Sequence, residues 1–258
     1  MDRVCFTMPM NTRDFMVAMA VAQDYQLQLA LGSEKQFREK NYEVTFRMQE
    51  RFKYFEPCLR VMKDNIPIFD YSGWDELRRG DFDCFIDFDT ERAYEATKLI
   101  GNHMTEALGI IIGASPHKYP QLGALNLTRS ENTYDVCILL WSNKKAGQFR
   151  DFIENNYPQL SIVYANPEET DPEKLMDVNR FSAVIGPVCA YTYAAAALGK
   201  ALIEIFPDQK QATLYGNFDL PIYQQVIGEQ VSAEVMWSAW EQKWPEIEKL
   251  TQKEAVNG

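Results

Sequence analysis

The sequence has few histidines and no long apolar run, and each absence excludes a class of function. Its two histidines are His103 and His117, and neither has a cysteine at the spacing of a zinc site. No apolar stretch approaches the roughly 20 residues that a bilayer span requires. The amino terminus lacks a basic segment followed by an apolar one, so we predict a cytoplasmic chain with neither signal peptide nor transmembrane segment.

Basic residues are scarce relative to acidic ones. The 258 residues include 26 Lys and Arg against 37 Asp and Glu, which gives a net charge of −11. A chain of this charge does not bind phosphate backbones non-specifically, so nucleic acid is expected only as a substrate. Five scattered cysteines, some of them within apolar runs, indicate reduced core thiols.

Apolar strands alternate with helical segments in two halves of the chain. The first half is predicted to contain strands at 4–8, 27–31, 66–70, 82–88 and 109–113, and helices at 14–22, 34–55, 74–80 and 89–99. The second is predicted to contain strands at 135–141, 160–165, 182–185 and 201–206, and helices at 146–155, 171–178, 191–198 and 231–255. Residues 115–132, rich in Pro, Gly, Ser and Asn, are the predicted linker. The alternation predicts an α/β protein with parallel sheets.

A strand, a small-residue loop and an alanine-rich helix follow one another at 184–200. The strand ends at Gly186, and Ala190, Tyr191 and Thr192 open the helix. Glycine allows a ligand to approach the backbone closely, and the N–H groups of a first helical turn suit a diphosphate. The same pattern is also consistent with a tightly packed crossover helix that ends at a glycine.

A second polar loop lies between a predicted strand and helix at 142–145. Ser142, Lys144 and Lys145 stand there, and lysine is a good point-charge partner for phosphate. The alternative interpretation is a solvated turn.

Acidic residues follow two predicted strands of the first half. Asp14 begins a helix, where it either acts as a base or stabilises the helix dipole. Asp87 and Asp89 lie at the carboxyl end of a strand, where ligands of open α/β sheets collect, although Asp89 also suits a helix cap. We assign Asp87, Asp89 and Arg13 to the acceptor side.

The stretch 182–206 resembles the carboxyl-terminal signature of the heptosyltransferase-like glycosyltransferases. In that family a strand ends in Gly-Asn-Asp-Thr-Gly, and a His and Leu-Ala-Ala-Ala-Leu-Gly follow. Gly186 matches the first glycine, and residues 195–199 match Ala-Ala-Ala-Leu-Gly, whereas Val188 and Tyr193 replace the Asp and the His. Residues 213–216 resemble a Gly-Pro-Tyr-Gly turn, and residues 82–87 resemble the family's Tyr-Asp-Leu-Val-Ile-Asp strand. In the same register Asp14 matches the family's catalytic base.

The resemblance implies the GT-B arrangement, in which two Rossmann-like domains face each other across a cleft. We expect an acceptor-side domain at 1–120, a nucleotide-sugar domain at 133–230, and a final helix at 231–258 that packs across the interface. The implied activity is transfer of a sugar from a nucleotide-diphosphate sugar to an acceptor hydroxyl. That acceptor is a glycan, a lipopolysaccharide core or a hydroxylated nucleic-acid base, as in viral DNA modification.

Two alternatives stay open at this stage. One is a non-catalytic relative that binds a nucleotide or a partner protein, which the changes at Val188 and Tyr193 favour. The other is a sugar-nucleotide epimerase, although the first strand lacks the Gly-x-Gly-x-x-Gly of an NAD site. We expect no cofactor and no metal, because the second half has no Asp-x-Asp at a donor loop.

Overall fold

The computed structural model divides the chain into two compact units, Met1–Asn126 and Leu127–Gly258. This division falls inside the predicted linker at 115–132. The structure describes residues 2–35, 42–61, 66–72, 79–90, 92–95, 103–114, 118–127, 134–139, 143–216, 219–228 and 231–256. The predicted helix at 74–80 lies mostly outside these residues, as does the end of the predicted helix at 89–99.

The described strands of the first unit form a parallel sheet in the order β3-β2-β1-β4. Their bounds are β1 Asp2–Thr7, β2 Tyr42–Arg47, β3 Ile68–Asp70 and β4 Cys84–Asp87. The helices are α1 Thr12–Lys35, α2 Glu56–Leu59 and α3 Met104–Ile112, with 3-10 turns at Glu50–Phe55, Arg79–Asp81 and Gly123–Leu125. Phe6 of β1 is fully buried between Phe46 and Phe88, with ring centroids 5.0 and 5.9 Å apart.

Three predicted elements of the first unit were wrong. Residues 27–31 continue α1 as a helix, and the buried Gln26 donates to the Ala22 carbonyl at 3.3 Å. The predicted helix at 34–55 contains strand β2 and a 3-10 turn in its described part. Residues 109–112 form the end of α3, and Gly113, with φ +75°, follows as its cap. That left-handed conformation favours glycine and explains why the helix stops there.

The described strands of the second unit form a parallel sheet in the order β6-β5-β7-β8-β9. Their bounds are β5 Tyr134–Leu139, β6 Ile162–Ala165, β7 Phe181–Pro187, β8 Ala201–Phe206 and β9 Tyr223–Ile227. The helices are α4 Asn143–Asn156, α5 Pro172–Leu175, α6 Ala190–Ala197, α7 Gln209–Tyr215 and α8 Ala233–Val256, and a 3-10 turn covers Met176–Arg180.

In their described parts, the predicted strands of this half and its predicted helices at 146–155, 191–198 and 231–255 are confirmed with small changes at their ends. The predicted helix at 171–178 is instead a short helix at 172–175 followed by a 3-10 turn at 176–180. The sequence-based prediction did not include α7 and β9. It was wrong about residues 213–216, because residues 213–215 are the end of α7 and Gly216 follows them.

Helix α8 packs on the second sheet through one aromatic face, as its three- and four-residue tryptophan spacing predicts. Trp240 is fully buried and stacks with Trp244 at 5.3 Å, while Trp237 stacks with Phe152 of α4 at 4.9 Å. Pro245 lies inside the helix. Among the described residues, no helix is both long enough and apolar enough to cross a bilayer.

Among the described strands, each sheet has one topological switch point, which is a pair of adjacent strands: the chain leaves the first of them toward one side of the sheet and later returns to the second on its other side. In the first sheet the switch lies between β1 and β4, and in the second it lies between β5 and β7. Ligands of open α/β sheets bind at the carboxyl ends of the strands at such points. The two switch points therefore define where functional side chains are to be sought.

Candidate functional site

At the switch point of the first sheet, a buried threonine fixes an exposed carboxylate. Thr7 ends β1 and Asp87 ends β4, and the two residues are partners in the parallel ladder. The Thr7 hydroxyl donates to Asp87 Oδ1 at 2.6 Å. Thr7 is buried, whereas Asp87 remains exposed. The predicted acceptor-side residue Asp87 is thus held at the carboxyl edge of the sheet with a defined orientation.

Asp14 lies in the first turn of α1, after the loop that follows β1. Its backbone N–H donates to Asn11 Oδ1 at 2.8 Å, and the Asn11 amide donates back to Asp14 Oδ2. Arg13 Nε lies 3.3 Å from Asp14 Oδ1. Asp14 is 6% exposed. The contacts are those of a capping pair, and the proton-accepting role predicted for Asp14 stays a prediction.

A cavity of about 560 Å³ opens beside β4 in the first unit. Two predicted acceptor-side residues, Asp87 and Asp89, line it, together with Arg92. Asp89 also caps the helical segment that follows, because its Oδ1 accepts from the Arg92 backbone N–H at 2.9 Å. The cavity has further lining residues that the sequence reading did not single out: Tyr25, Cys84, Phe85, Ile86, Ile111 and Ile112. These residues come from α1, β4 and α3, and the sequence analysis predicted a strand at Ile111 and Ile112.

An ion pair between a buried arginine and a partly exposed aspartate lies at the carboxyl ends of β2 and β3. Arg47 is 2% exposed, and its guanidinium lies 2.8 Å from Asp70 Oδ2 and donates to the Ser72 carbonyl at 2.9 Å. Burial alone would raise the pKa of Asp70. Hydrogen bonds from Ser72 and the positive charge of Arg47 oppose this effect and hold the pKa below its ordinary value. The pair fixes Ser72, two residues after the end of β3.

At the switch point of the second sheet, Gly186 makes room for a neighbouring side chain. Ile138 and Ile185 are ladder partners, so Leu139 and Gly186 are the next residues at the carboxyl ends of β5 and β7. A Cβ on Gly186 would lie 2.4 Å from the Leu139 Cβ, and Gly186 has φ +154°. Packing and backbone conformation both require glycine at this position. Its predicted contact with a nucleotide sugar stays a prediction.

The loop after β7 leads directly into α6. The Cys189 N–H donates to Thr192 Oγ1 at 3.1 Å, and the Thr192 hydroxyl donates to the Cys189 carbonyl at 3.0 Å. Thr192 is fully buried, so its hydroxyl serves the helix start. The Tyr191 hydroxyl donates to the Lys174 carbonyl at 3.4 Å. Any contribution of 190–192 to anion binding would come from the backbone N–H groups of this first turn.

Two of the three predicted loop residues after β5 belong to the next helix. Lys144 and Lys145 lie in the first turn of α4, which begins at Asn143. Their side chains and Ser142 lie outside the described residues. Because β5 and β7 are adjacent and parallel, the starts of α4 and α6 follow neighbouring strand ends. The two predicted donor loops therefore share one edge of the second sheet.

In the described part of the chain, no three His, Cys, Asp or Glu side chains are grouped closely enough to hold a metal ion. All five cysteines are free thiols, and Cys5, Cys58 and Cys137 are buried. Burial raises the pKa of each of these three thiols to about 12.

The sequence matches no protein-family model, and no curated protein matches it by sequence. Solved structures do resemble it. The E. coli ADP-heptose LPS heptosyltransferase II matches with a TM-score of 0.55 and 11% identity, covering 98% of this chain and 99% of the other. The chain has the heptosyltransferase fold. The E. coli heptosyltransferase WaaC with ADP matches with a TM-score of 0.52 and 12% identity, and the match covers 93% of this chain and 99% of the other. A family 9 glycosyltransferase from Veillonella parvula matches with a TM-score of 0.54 and 9% identity, and the match covers 95% of this chain and 97% of the other.

The heptosyltransferase fold accounts for both units, because each match spans nearly the whole chain. The predicted α/β class with two Rossmann-like domains is confirmed. At identities of 9–12%, the likeness shows the fold alone. The placement of the two domains across a cleft stays a prediction, as do the roles of individual residues.

Proposed function

We propose that this chain transfers a sugar from a nucleotide-diphosphate sugar to an acceptor hydroxyl. The observation that carries the proposal is the switch point of the second sheet, where the starts of α4 and α6 follow adjacent strands. Ligands of such sheets bind at this position, and helix N-termini favour anions. Solved relatives in fold include heptosyltransferases with bound ADP or ADP-D-β-D-heptose, which supports a nucleotide-sugar donor.

On the donor side, the chain supplies positive potential and N–H groups. The first turn of α6, at Ala190 and Tyr191, would bind the diphosphate through its backbone. Lys144 and Lys145, in the first turn of α4, would add two positive charges. Both groups would stabilise the negative charge that builds up on the diphosphate as the sugar departs.

On the acceptor side, Asp14 is the proposed general base. A base for sugar transfer must accept the proton of the acceptor hydroxyl while that oxygen attacks the anomeric carbon. The Asn11 amide holds one carboxylate oxygen of Asp14, and Arg13 lies close to the other. This arrangement fixes the carboxylate on α1, near the carboxyl end of β1.

A second candidate is a protein that binds a nucleotide without turnover. Tyr193, which stands where the resembling family has a histidine, is fully buried and so presents no polar group to an open site. Val188, which stands in place of an aspartate, carries no charge. These two positions favour binding without catalysis, and turnover measurements separate the two candidates.

The test combines binding and turnover. ADP, UDP, GDP and CMP, each with a matching sugar nucleotide, are titrated by calorimetry and by thermal unfolding. A nucleotide at 100 times its Kd stabilises the fold by about 2.7 kcal/mol. We expect the double variant Lys144→Ala/Lys145→Ala to bind the same nucleotide at least about tenfold more weakly, because phosphate loses two cationic partners.

The matched control is Lys249→Ala, which removes a positive charge from the exposed surface of α8. It should bind like the parent. No heat and no stabilisation with any of the nucleotides would refute both candidates. Binding without sugar transfer or hydrolysis would select the second.

A further inference from the structure

The residues that line the cavity beside β4 are of two kinds, apolar and charged. Phe85, Ile111 and Ile112 supply apolar surface, and Tyr25 adds an aromatic ring. Asp87, Asp89 and Arg92 supply charge. The volume of about 560 Å³ lies within the range of small-molecule sites. The lining therefore suits a ligand that has both an apolar face and several hydroxyl groups.

The polar groups of this cavity are held in place. Asp87 accepts the 2.6 Å hydrogen bond of buried Thr7, and Asp89 accepts from the backbone of the helical segment that it caps. Tyr25 lies beside Cys84 in the same lining. Groups fixed in this way lose little conformational entropy when a ligand binds.

The charges of the lining decide which ligands fit. Among the described residues of the lining, two carboxylates stand against one guanidinium, a net charge of −1. A phosphorylated or carboxylated ligand would be repelled by the excess negative charge, whereas a neutral or cationic one would not. Carboxylates accept hydrogen bonds from sugar hydroxyls, and the guanidinium donates them. The apolar side chains can pack against the C–H face of a pyranose ring.

Asp14 is not among the described residues that line this cavity. We therefore propose that the cavity binds the part of the acceptor that lies away from the reacting hydroxyl, and that this part is a neutral or positively charged saccharide. The inference rests on the proposed function, since a transferase of this kind needs an acceptor site. It narrows the acceptors that the sequence left open. A phosphorylated lipopolysaccharide core and a base within a nucleic acid both bring negative charge to the site, and the cavity disfavours both.

Cys84 provides a direct readout because it lines the cavity and is partly exposed. Iodoacetamide alkylates a thiol with loss of iodide and a proton, and mass spectrometry measures the rate for each cysteine separately. Cys5, Cys58 and Cys137 should react slowly, because they are buried and their pKa values are raised to about 12. Cys189, also partly exposed, lies in the second unit at the start of α6 and serves as the internal control.

The probes are galactose and N-acetylglucosamine as neutral sugars, glucosamine as a cation, and glucuronate and glucose 6-phosphate as anions. At concentrations several times Kd, a neutral or cationic probe should slow Cys84 alkylation about fivefold and leave Cys189 unchanged. Anionic probes should protect Cys84 much less. Absence of protection by any neutral or cationic probe would overturn the proposal, as would equal protection by the anions.

Variants test the charge argument. The double variant Asp87→Asn/Asp89→Asn should let glucuronate protect Cys84 as well as a neutral sugar does. The control is Asp81→Asn, because Asp81 is exposed and outside the lining, and this variant should still disfavour glucuronate. Ile112→Trp should narrow the cavity and weaken protection. An Asp87→Asn/Asp89→Asn variant that folds, as judged by thermal unfolding, and still excludes glucuronate would overturn the proposal. If that variant does not fold, the parent's probe selectivity and Ile112→Trp decide the question.

The same labelling experiment separates this inference from the proposed function. ADP or UDP bound at the start of α6 should slow alkylation of Cys189 and leave Cys84 unchanged. Nucleotide protection of Cys189 without saccharide protection of Cys84 would reject the acceptor cavity alone. The reverse pattern, together with no nucleotide binding by calorimetry, would reject the proposed donor.

Discussion

Thr7 and Asp87 are joined by a 2.6 Å hydrogen bond across the ladder between β1 and β4. The bond connects a buried hydroxyl to an exposed carboxylate at the switch point of the first sheet. Hydrogen bonds to charged groups are stronger than neutral ones, so this contact both positions the carboxylate and stabilises the sheet edge.

Replacing Thr7 by valine keeps the shape of the side chain and removes the donor. We expect Thr7→Val to lower the free energy of unfolding by about 1 kcal/mol, a modest value because water can replace the hydroxyl at the exposed carboxylate. Thr7→Ser keeps a hydroxyl and should retain much of the stability. Denaturant titration measures both. Equal stability of the valine variant and the parent would show that the bond contributes nothing.

Asp14→Asn should lower turnover by about 10²–10⁴-fold with substrate binding little changed, because the variant keeps its shape and loses the proton acceptor. Steady-state kinetics with the donor found in the nucleotide screen measure this effect. Turnover within a few-fold of the parent would leave Asp14 as a helix-stabilising acid and would direct the search for the base to Asp87 or Asp89.

Asn11→Ala is the control for helix capping at this site. It removes the side chain that accepts from the Asp14 N–H and the amide that donates to Asp14 Oδ2, while the Asp14 carboxylate itself remains as a proton acceptor. We expect a loss of about 1 kcal/mol in stability and much smaller effects on turnover than those of Asp14→Asn. A large loss of turnover in Asn11→Ala would assign the catalytic defect to the geometry of the helix start.

Gly186→Ala should destabilise the second unit by roughly 2–5 kcal/mol, because the new Cβ meets Leu139 Cβ at 2.4 Å and φ is +154°. Leu139→Ala should not relieve the clash, since alanine retains the Cβ in question. Gly123→Ala is the matched control, because a Cβ there meets nothing within 4 Å. A Gly186→Ala variant as stable as the Gly123→Ala control would contradict the packing argument.

The ion pair of Arg47 and Asp70 gives a pH dependence with a defined sign. The pKa of Asp70 is lower in the folded chain than its ordinary value, so its contribution is fully present above about pH 4 and is lost as the pH falls through the folded value. Asp70→Ala leaves Arg47 buried without this carboxylate and should cost about 3 kcal/mol at pH 7. Unfolding measured from pH 7 to pH 2 should show the difference between parent and variant shrinking at the acid end. A constant difference would exclude the charge as its cause.

The second half of the fold followed from the sequence more closely than the first. Its strands are mostly apolar, such as 201–206, where Glu204 is the one charged residue, and a mostly apolar strand is expected in a buried parallel sheet. In the first half, residues 26–29 alternate polar and apolar like a strand. Yet the structure buries Gln26 on a helix and leaves Leu27 exposed. Local alternation was misleading there because tertiary packing, and not side-chain polarity, selected the buried face.

Candidate residues at strand ends could be predicted from the sequence, whereas residues that meet only through the packing of separate elements could not. Asp14 and Asp87 follow strands, and their positions were read from that pattern. Tyr25, Cys84 and Ile112 meet at one cavity only because α1, β4 and α3 pack together. The charged appearance of residues 34–55 also concealed β2, since buried Arg47 is compensated by Asp70, which lies 23 positions later.

Each sheet is built from one continuous stretch of chain. In the described residues, the strands of the first sheet are complete at residue 87, and those of the second begin at residue 134. The ribosome therefore delivers every strand of the first sheet before it starts the second. Since domains generally fold as units during synthesis, the amino-terminal half can acquire its core while the rest of the chain is still being translated.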